Sequence, residues 1–212
     1  MLVSEIYQFT GVIDSICELH WSRLKPGELE DIAIMYFYFS VLFRENLQIA
    51  RTLYPDDEKL AQLEQDECNT DNLSPWPGVA HTGERMDHDE FMRRVVLLSP
   101  VDGDRRSELD AIGQPYLAII RKMDPDARAR SIASCEDRGL ERVFGAILTS
   151  EHWGSDSLRA FKHFLLEHLR FDADPEHGHG ALARHLKPND DVLLTWTEFR
   201  RILVEAVPAL IA

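Results

Sequence analysis

The sequence predicts an all-α protein, a single domain over residues 1–212 built as a bundle of about seven to nine helices. Apolar residues recur at spacings of three and four in successive stretches, as they do on the buried face of a helix. No stretch shows the alternation of apolar and polar residues that is typical of a half-buried strand. With 212 residues and 44% hydrophobic content, the chain can bury a sizeable core.

The first three helices are predicted in the N-terminal third of the chain. An amphipathic helix over residues 2–24 ends at the helix-breaking sequence KPG. The next, over residues 28–53, contains IAIMYFYFSVLF, which is apolar around almost its whole circumference and therefore predicts a central buried helix. A strand is the alternative for this aromatic run, but its length and the continuation FRENLQIARTL favour a helix. A shorter polar helix follows over residues 56–69, and TDNLSPWPGVAHTG predicts a loop.

The remaining helices follow from the same spacing and from their start and stop signals. MDHDEFMRRVVLL predicts one helix, and RRSELDAIGQPYLAIIRKM another, in which Gly113 and Pro115 predict a bend or a restart. A single helix is predicted over DPDARARSIASCEDRGLERVFGAILTSE. The sequence SDS then caps the helix LRAFKHFLLEHLRFD. The last helix is predicted over residues 190–207.

Composition limits the classes of partner. The net charge of -14, from 23 Lys and Arg against 37 Asp and Glu, repels nucleic acid and anionic lipid, so neither is an expected partner. Three widely separated cysteines argue against a disulfide framework and for a reducing compartment. The sequence contains no signal-peptide pattern and no apolar run near the roughly 18 residues of a membrane span. We expect a soluble cytoplasmic protein with a small-molecule substrate, and a homodimer remains open.

Metal-capable side chains are concentrated in residues 164–186, FLLEHLRFDADPEHGHGALARHL. This stretch holds Glu167, His168, Asp172, Asp174, Glu176, His177, His179 and His185. His168 and Asp172 are four residues apart, so on a helix both project from one face and can bind a single ion. A surface pair on an acidic helix is the alternative interpretation.

Other helices offer the partners that such a pair needs. Glu67 lies in LEQDECNTD, His88 in RMDHDEFM and Glu136 in SCEDRGLERVF. Carboxylates and imidazoles brought together from several helices make a hard, oxygen-rich metal site. Glu67 or Glu136 alone is as readily an exposed helix former as a ligand, and both have acidic neighbours in sequence. Only the whole set indicates a site.

The order of these motifs resembles a known family. A glutamate, then HxxF, then a mid-chain glutamate, then EHxxxD followed by HG is similar to the ligand order of the heme-oxygenase-like di-iron oxidase and oxygenase superfamily. That superfamily shares a seven-helix all-α fold with heme oxygenases, TENA-type thiaminases and coenzyme-PQQ synthesis proteins. The resemblance covers roughly residues 30–205. It implies two Fe(II) ions, with Mn as the alternative metal and O2 as co-substrate, bound by Glu67, His88, Glu136, His168, Asp172 and His179.

The last ligand departs from the family pattern. Relatives commonly place it seven residues after the first histidine of the motif, whereas here His177 is nine and His179 eleven residues after His168. In an unbroken helix nine residues turn by about 900° and reach the opposite face, and eleven rise by about 16 Å. We therefore predict a broken helix at DADPEHG. His179 is favoured because HGALA resembles the family's continuation, and His177 is the alternative.

The resemblance implies a non-haem di-iron oxidase or oxygenase acting on a small amine, amino-acid or fatty-acid-like substrate. No catalytic side chain is predicted beyond the metal ligands. A metal-free hydrolase or cofactor-binding protein of the TENA or PQQ-synthesis kind is one alternative, and a non-enzymatic helical interaction protein is another. A substrate carboxylate could be held by Arg44, Arg138, Arg142 or Arg170, which the sequence does not rank. The aromatic residues 35–39 are interpreted as core, with a substrate tunnel as the alternative.

Overall fold

The protein is all-helical, which confirms the predicted fold class. A computed structural model describes residues 7–172 and 178–212, without the side chain of Asp172. Within these residues there is no strand, and two isolated β-bridges lie in the loop before His88. The ten α-helices of this part are α1 Gln8–Cys17, α2 Pro26–Leu53, α3 Glu58–Glu67, α4 His88–Leu97, α5 Gly103–Ile120, α6 Pro125–Glu136, α7 Gly139–Ile147, α8 Asp156–Asp172, α9 His179–Ala183 and α10 Leu193–Ala206. Short 3₁₀ turns lie at Trp21–Arg23, Arg184–Leu186, Asp190–Val192 and Pro208–Leu210.

Helix α2 is the centre of the bundle, as its apolar circumference predicts. It packs against α3, α4, α5, α6, α8 and α10. Tyr36, in the middle of α2, has the rings of Phe144, Phe161 and Phe164 within 5.6 Å of its own, measured between centroids. Each fully buried aromatic or aliphatic side chain contributes roughly 1.5–3 kcal/mol, so this cluster fixes α7 and α8 against α2.

The single helix predicted over residues 124–151 is instead two helices, which is a correction. Helix α6 ends at Glu136, and Arg138 adopts a left-handed conformation with φ of 72° before α7 starts at Gly139. A Cβ added at Gly139 would lie 2.0 Å from the backbone oxygen of Ser134 and 2.9 Å from the ring of Trp196. Only glycine fits this close approach, so the chain turns sharply and Glu136 becomes a helix end.

Two further boundaries differ from the prediction. Of the bend or restart predicted at Gly113 and Pro115, the restart is absent, because helix α5 runs through both residues. Gly113 is a packing position, because a Cβ there would lie 2.3 Å from the ring of Tyr38. In the described residues, the first helix ends at Cys17 rather than near residue 24. The indole of Trp21 donates to the carbonyl of Ile16 at 2.8 Å and so satisfies one acceptor at that end.

The broken helix predicted at DADPEHG falls largely outside the described residues. Helix α8 ends at Asp172, and the extended residue Gly178 precedes the first residue of α9, His179. Residues 173–177, including His177, lie outside the described residues. Ser155 accepts the backbone N–H of Leu158 at 3.1 Å and caps α8, as predicted. Among the described helices, none has the length and apolar character needed to cross a membrane.

Candidate metal centre

Five of the six predicted ligands meet in one buried cluster. Glu67, His88, Glu136, His168 and His179 come from five different helices, and none is more than 5% exposed. The side chain of the sixth, Asp172, lies outside the described residues, as does the alternative ligand His177. The packing of α4 and α7 on α8 and of α9 on α3 and α6 brings these side chains together.

Four of the five side chains in the cluster belong to residues at helix ends. Glu67 is the last residue of α3 and Glu136 the last of α6, whereas His88 is the first residue of α4 and His179 the first of α9. Only His168 lies inside a helix. A helix C-terminus carries partial negative charge, so both carboxylates stand where an anion is disfavoured and a nearby cation is favoured.

The loop between α3 and α4 holds two of these ends side by side. The backbones of Thr70 and Met86 exchange hydrogen bonds of 3.0 and 2.9 Å, which close the loop near its base. The backbone N–H of Asn69 also donates to Asp87 at 2.9 Å. Because both ends of the loop are bonded to each other, the end of α3 and the start of α4 have a fixed separation.

Distances between the ligand atoms match those of a metal coordination sphere. The Nδ1 atom of His88 lies 2.8 Å from Oε2 of Glu67 and 3.0 Å from Nε2 of His168. The Nδ1 atom of His179 lies 3.4 Å from Oε1 of Glu67 and 3.3 Å from Oε2 of Glu136. Metal–ligand bonds of about 2.1 Å place adjacent ligand atoms about 3.0 Å apart in an octahedron and about 3.4 Å apart in a tetrahedron. Glu67, His88 and His168, whose ligand atoms all lie close to one another, therefore fit a metal ion.

Hydrogen bonds orient two of the imidazoles. His168 donates from Nδ1 to the carbonyl of Phe164 at 2.8 Å, and His88 contacts the side-chain oxygen of Asn72 through Nε2 at 2.9 Å. A neutral imidazole that donates from one nitrogen has a lone pair on the other. The remaining nitrogens of both rings face Glu67. Such outward hydrogen bonds are the usual support of metal-ligating histidines.

The pKa shifts of Glu67 and His168 favour the protonation states in which these groups bind a metal, whereas the shift of Glu136 does not. Burial alone would raise the pKa of Glu67, but His88, His168 and His179 outweigh it and lower that pKa to about 2. Burial, and then the neighbouring His88, lower the pKa of His168 to about 3. Burial raises the pKa of Glu136, with His179 opposing the shift. Near neutral pH, Glu67 is thus an anion and His168 a neutral ligand.

One oxygen of Glu67 lacks a donor. Among the described residues, Oε1 of Glu67 is buried and receives no hydrogen bond. A buried carboxylate oxygen without a donor is unfavourable by several kcal/mol unless a cation compensates it. Two carboxylates and three imidazoles suit Fe(II), Mn(II) or Zn(II). This orphaned oxygen is the observation that most directly calls for a bound cation.

A small cavity of about 20 Å³, wide enough for a water-sized species, adjoins the cluster. Its other walls are Tyr36, Ser40, Phe43, Arg44, Asp89, Leu140 and Phe164. In the run of residues 35–39, for which the sequence predicts core and leaves a tunnel as the alternative, Tyr36 is buried in the core and also lines this cavity.

The structure also ranks the four arginines named as possible substrate contacts. Arg44 lines the cavity, where its Nε lies 3.2 Å from Asp87 and 3.3 Å from Asp89. Arg138 and Arg142 line a different cleft. The largely exposed Arg170 pairs with its helix neighbour Glu167 at 2.6 Å. Arg44 is therefore the arginine of this group that lies beside the candidate ligand cluster.

Sequence reasoning missed Asn72. It lies five residues after Glu67 in a loop rich in polar and turn-forming residues, where nothing in the spacing separates it from its neighbours. Its role becomes visible only when the end of α3 and the start of α4 are seen together.

Comparison of the chain with protein-family models, curated proteins and solved structures finds no match. The class of this protein therefore rests on its fold and its candidate site alone. This is an all-α protein with a buried group, Glu67, His88 and His168, whose ligand atoms lie within 4.8 Å of one another and could hold a metal ion.

Proposed function

We propose that this protein is a non-haem di-iron enzyme, an O2-dependent oxidase or oxygenase of a small amine, amino-acid or fatty-acid-like substrate. The observation that carries the proposal is the buried convergence of two carboxylates and three imidazoles around the orphaned oxygen of Glu67. Two bound Fe(II) ions would supply O2 binding and the electrons for its reduction. The sequence resemblance to the heme-oxygenase-like di-iron superfamily supports the same function.

Two metal positions are proposed because Glu67 contacts imidazoles through both of its oxygens. Its Oε2 faces His88 at 2.8 Å, and His88 in turn faces His168 at 3.0 Å. Its Oε1 faces His179 at 3.4 Å, and His179 faces Glu136 at 3.3 Å. Nε2 of His168 also lies 3.8 Å from Oε1, so Glu67 contacts all three imidazoles and would help to hold both metal ions.

The cavity walls assign tasks to other residues of the chain. Phe43, Leu140 and Phe164 present apolar surface and exclude water from the cluster. Arg44 is half-exposed at the cavity and offers a guanidinium to a carboxylate on the substrate. Asp87 and Asp89 contact Arg44 through its Nε atom, which orients the guanidinium.

Iron binding tests the proposal directly. Purified protein is loaded anaerobically with Fe(II), desalted and measured for iron per chain, and we expect two. Glu67→Gln keeps the side-chain shape but removes the charge between the imidazoles, so we expect it to retain less than half of the iron. Glu64→Gln is the matched control, because Glu64 lies on the same helix and pairs with Arg51 at 3.1 Å, away from the cluster.

Histidine variants provide a second comparison. His168→Ala removes a ligand, whereas His163→Ala removes a histidine of the same helix that stacks on Trp76, with ring centroids 4.4 Å apart. We expect iron loss in the first and two irons in the second. Retention of two irons by Glu67→Gln and His168→Ala would contradict the proposal. A wild-type protein without iron would instead favour the metal-free alternatives.

O2 consumption separates an oxidase or oxygenase from a metal-storage or structural site. The iron-loaded protein is mixed with oxygenated buffer, and the loss of O2 is followed with an electrode. We expect about one O2 to be consumed per two irons, and the Glu67→Gln protein to consume little. Iron that stays ferrous in oxygenated buffer, with or without small amines and carboxylates, would contradict O2-dependent chemistry.

A further inference from the structure

Asn72 connects the two helix ends that carry Glu67 and His88. Its side-chain NH2 donates to the backbone carbonyl of Asp66 at 2.8 Å, next to Glu67 at the end of α3. Its side-chain oxygen contacts Nε2 of His88, the first residue of α4, at 2.9 Å. A single half-buried amide therefore contacts both ends of the loop through its two different atoms.

These two contacts settle where the proton of His88 lies. A backbone carbonyl only accepts hydrogen bonds, so the NH2 group of Asn72 must face Asp66 and its oxygen must face His88. The oxygen also only accepts, so Nε2 of His88 carries a hydrogen. In the neutral ring the lone pair is then on Nδ1, which lies 2.8 Å from Oε2 of Glu67.

His168 has the opposite arrangement. Its Nδ1 donates to the carbonyl of Phe164 at 2.8 Å, one turn earlier in α8, and this leaves the lone pair on Nε2. The Nδ1 atom of His88 and the Nε2 atom of His168 lie 3.0 Å apart. Two lone pairs at this distance repel each other unless a cation or a proton lies between them, so they mark a common ligand position.

We propose that His88 binds the metal through Nδ1 and His168 through Nε2, and that Asn72 is the positioning residue that holds His88 in the required tautomer. The proposal rests on the metal site of the proposed function, and it adds the ligand atoms and a residue that no ligand pattern includes. Without Asn72, the ring of His88 can rotate or exchange its tautomer, and either change removes the Nδ1 lone pair from the site.

Zinc is the probe for the test because it is diamagnetic and binds imidazole through either nitrogen. In protein labelled with 15N-histidine and loaded with zinc, long-range ¹H–¹⁵N spectra distinguish a protonated nitrogen from a metal-bound one. We expect Nε2 to be protonated and Nδ1 metal-bound in His88, and the reverse in His168. His88→Gln and His168→Gln assign the two sets of signals.

Three variants isolate the role of Asn72. Asn72→Leu removes both hydrogen bonds, and we expect zinc affinity, measured by chelator competition, to fall about 10- to 100-fold. Asn72→Asp keeps an acceptor for Nε2–H and is expected to recover most of the affinity and the wild-type tautomer. Arg85→Leu is the control, because Arg85 donates to the carbonyl of Asn69 at 2.7 Å in the same loop without touching His88.

The outcomes are distinct. Zinc on Nε2 of His88 in the wild type, or wild-type zinc affinity in Asn72→Leu, would overturn the inference and leave the proposed function intact. If Arg85→Leu loses as much zinc affinity as Asn72→Leu, the inference is also overturned. Disturbance of the loop, rather than loss of the contact with His88, would then explain both results. Failure of the wild type to bind zinc or iron would overturn both. If Asn72→Leu does not fold, the wild-type spectra still decide the ligand atoms.

Discussion

Gly180→Ala should weaken the metal site although Gly180 ligates nothing. Gly180 is the second residue of α9 and follows His179. A Cβ at this position would lie 2.9 Å from the backbone oxygen of Glu136 and 3.5 Å from Cα of Asp137. Contact with rigid backbone cannot be relieved by a side-chain rotation, so α9 must move away from the end of α6. That movement separates His179 from Glu136.

The size of the effect follows from two opposing contributions. Alanine is favoured over glycine inside a helix by about 1 kcal/mol. Forcing an extra methyl group into a close-packed contact costs about 1–3 kcal/mol. The net change in unfolding free energy is therefore between about zero and a loss of about 2 kcal/mol. Metal affinity should fall about 10- to 100-fold, as it does when the support of a ligand is disturbed.

Gly145→Ala is the matched control. Gly145 lies in α7 with no atom within 4 Å of the added Cβ, so only the helix preference acts, and we expect a gain of about 0.5–1 kcal/mol. Urea unfolding measures stability, and chelator competition measures Zn(II) affinity. If Gly180→Ala gains as much stability as Gly145→Ala and binds zinc like the wild type, the close approach of α9 to α6 does not position His179.

Three further predictions concern stability. Hydrogen bonds from two arginines of α4 outweigh partial burial and lower the pKa of Glu90 to about 2, below its ordinary 4.5. Because solvent screens this pair, the stabilisation is about 0.5 kcal/mol; it is present above pH 4.5 and lost as pH falls towards 2. Urea midpoints of Glu90→Gln and wild type should thus differ at pH 7, and the difference should shrink steadily as the pH falls from 4.5 towards 2, so a constant gap would refute this reasoning. Gly113→Ala places a Cβ 2.3 Å from the ring of Tyr38 and should cost about 1–3 kcal/mol in urea unfolding, so an unchanged midpoint would contradict the packing role. Trp196→Phe removes the indole donor to Ser134 at 3.0 Å and should cost about 1–3 kcal/mol, whereas wild-type stability would show that this bond contributes nothing net.

The sequence predicts the helices well where the signal is local. The uniformly apolar run of α2 and the four-residue spacing of His168 and Asp172 are properties of a single segment. The start of α9 at His179, directly after the extended Gly178, is also a local property, because glycine disrupts helices through its own backbone chemistry. The order of the ligand motifs in the sequence also predicted five side chains that the fold brings together, those of Glu67, His88, Glu136, His168 and His179.

The remaining features depend on contacts between distant segments. The turn between α6 and α7 requires Gly139 to pass close to Trp196, which is 57 positions later and leaves no trace in the local pattern. The continuity of α5 through Gly113 depends likewise on Tyr38 from another helix. Asn72 acquires its role only because the loop closes on itself. At such positions the structure depends on contacts between segments that are distant in sequence, rather than on local helix preference.

In the proposed metal site, the placement of ligands at helix ends would link metal binding to the lifetime of the folded chain. Helix ends open first in native-state fluctuations, and four ends of this bundle converge on one point. An ion that binds only the closed state shifts their opening equilibrium by mass action, by about 2.7 kcal/mol when the ion is at 100 times its dissociation constant. Amide exchange should slow at the ends of α3, α4, α6 and α9 when metal is added and stay unchanged in α1 and α10. Proteases that cut opened segments would then degrade the metal-free chain faster, so the supply of metal would set the abundance of the protein.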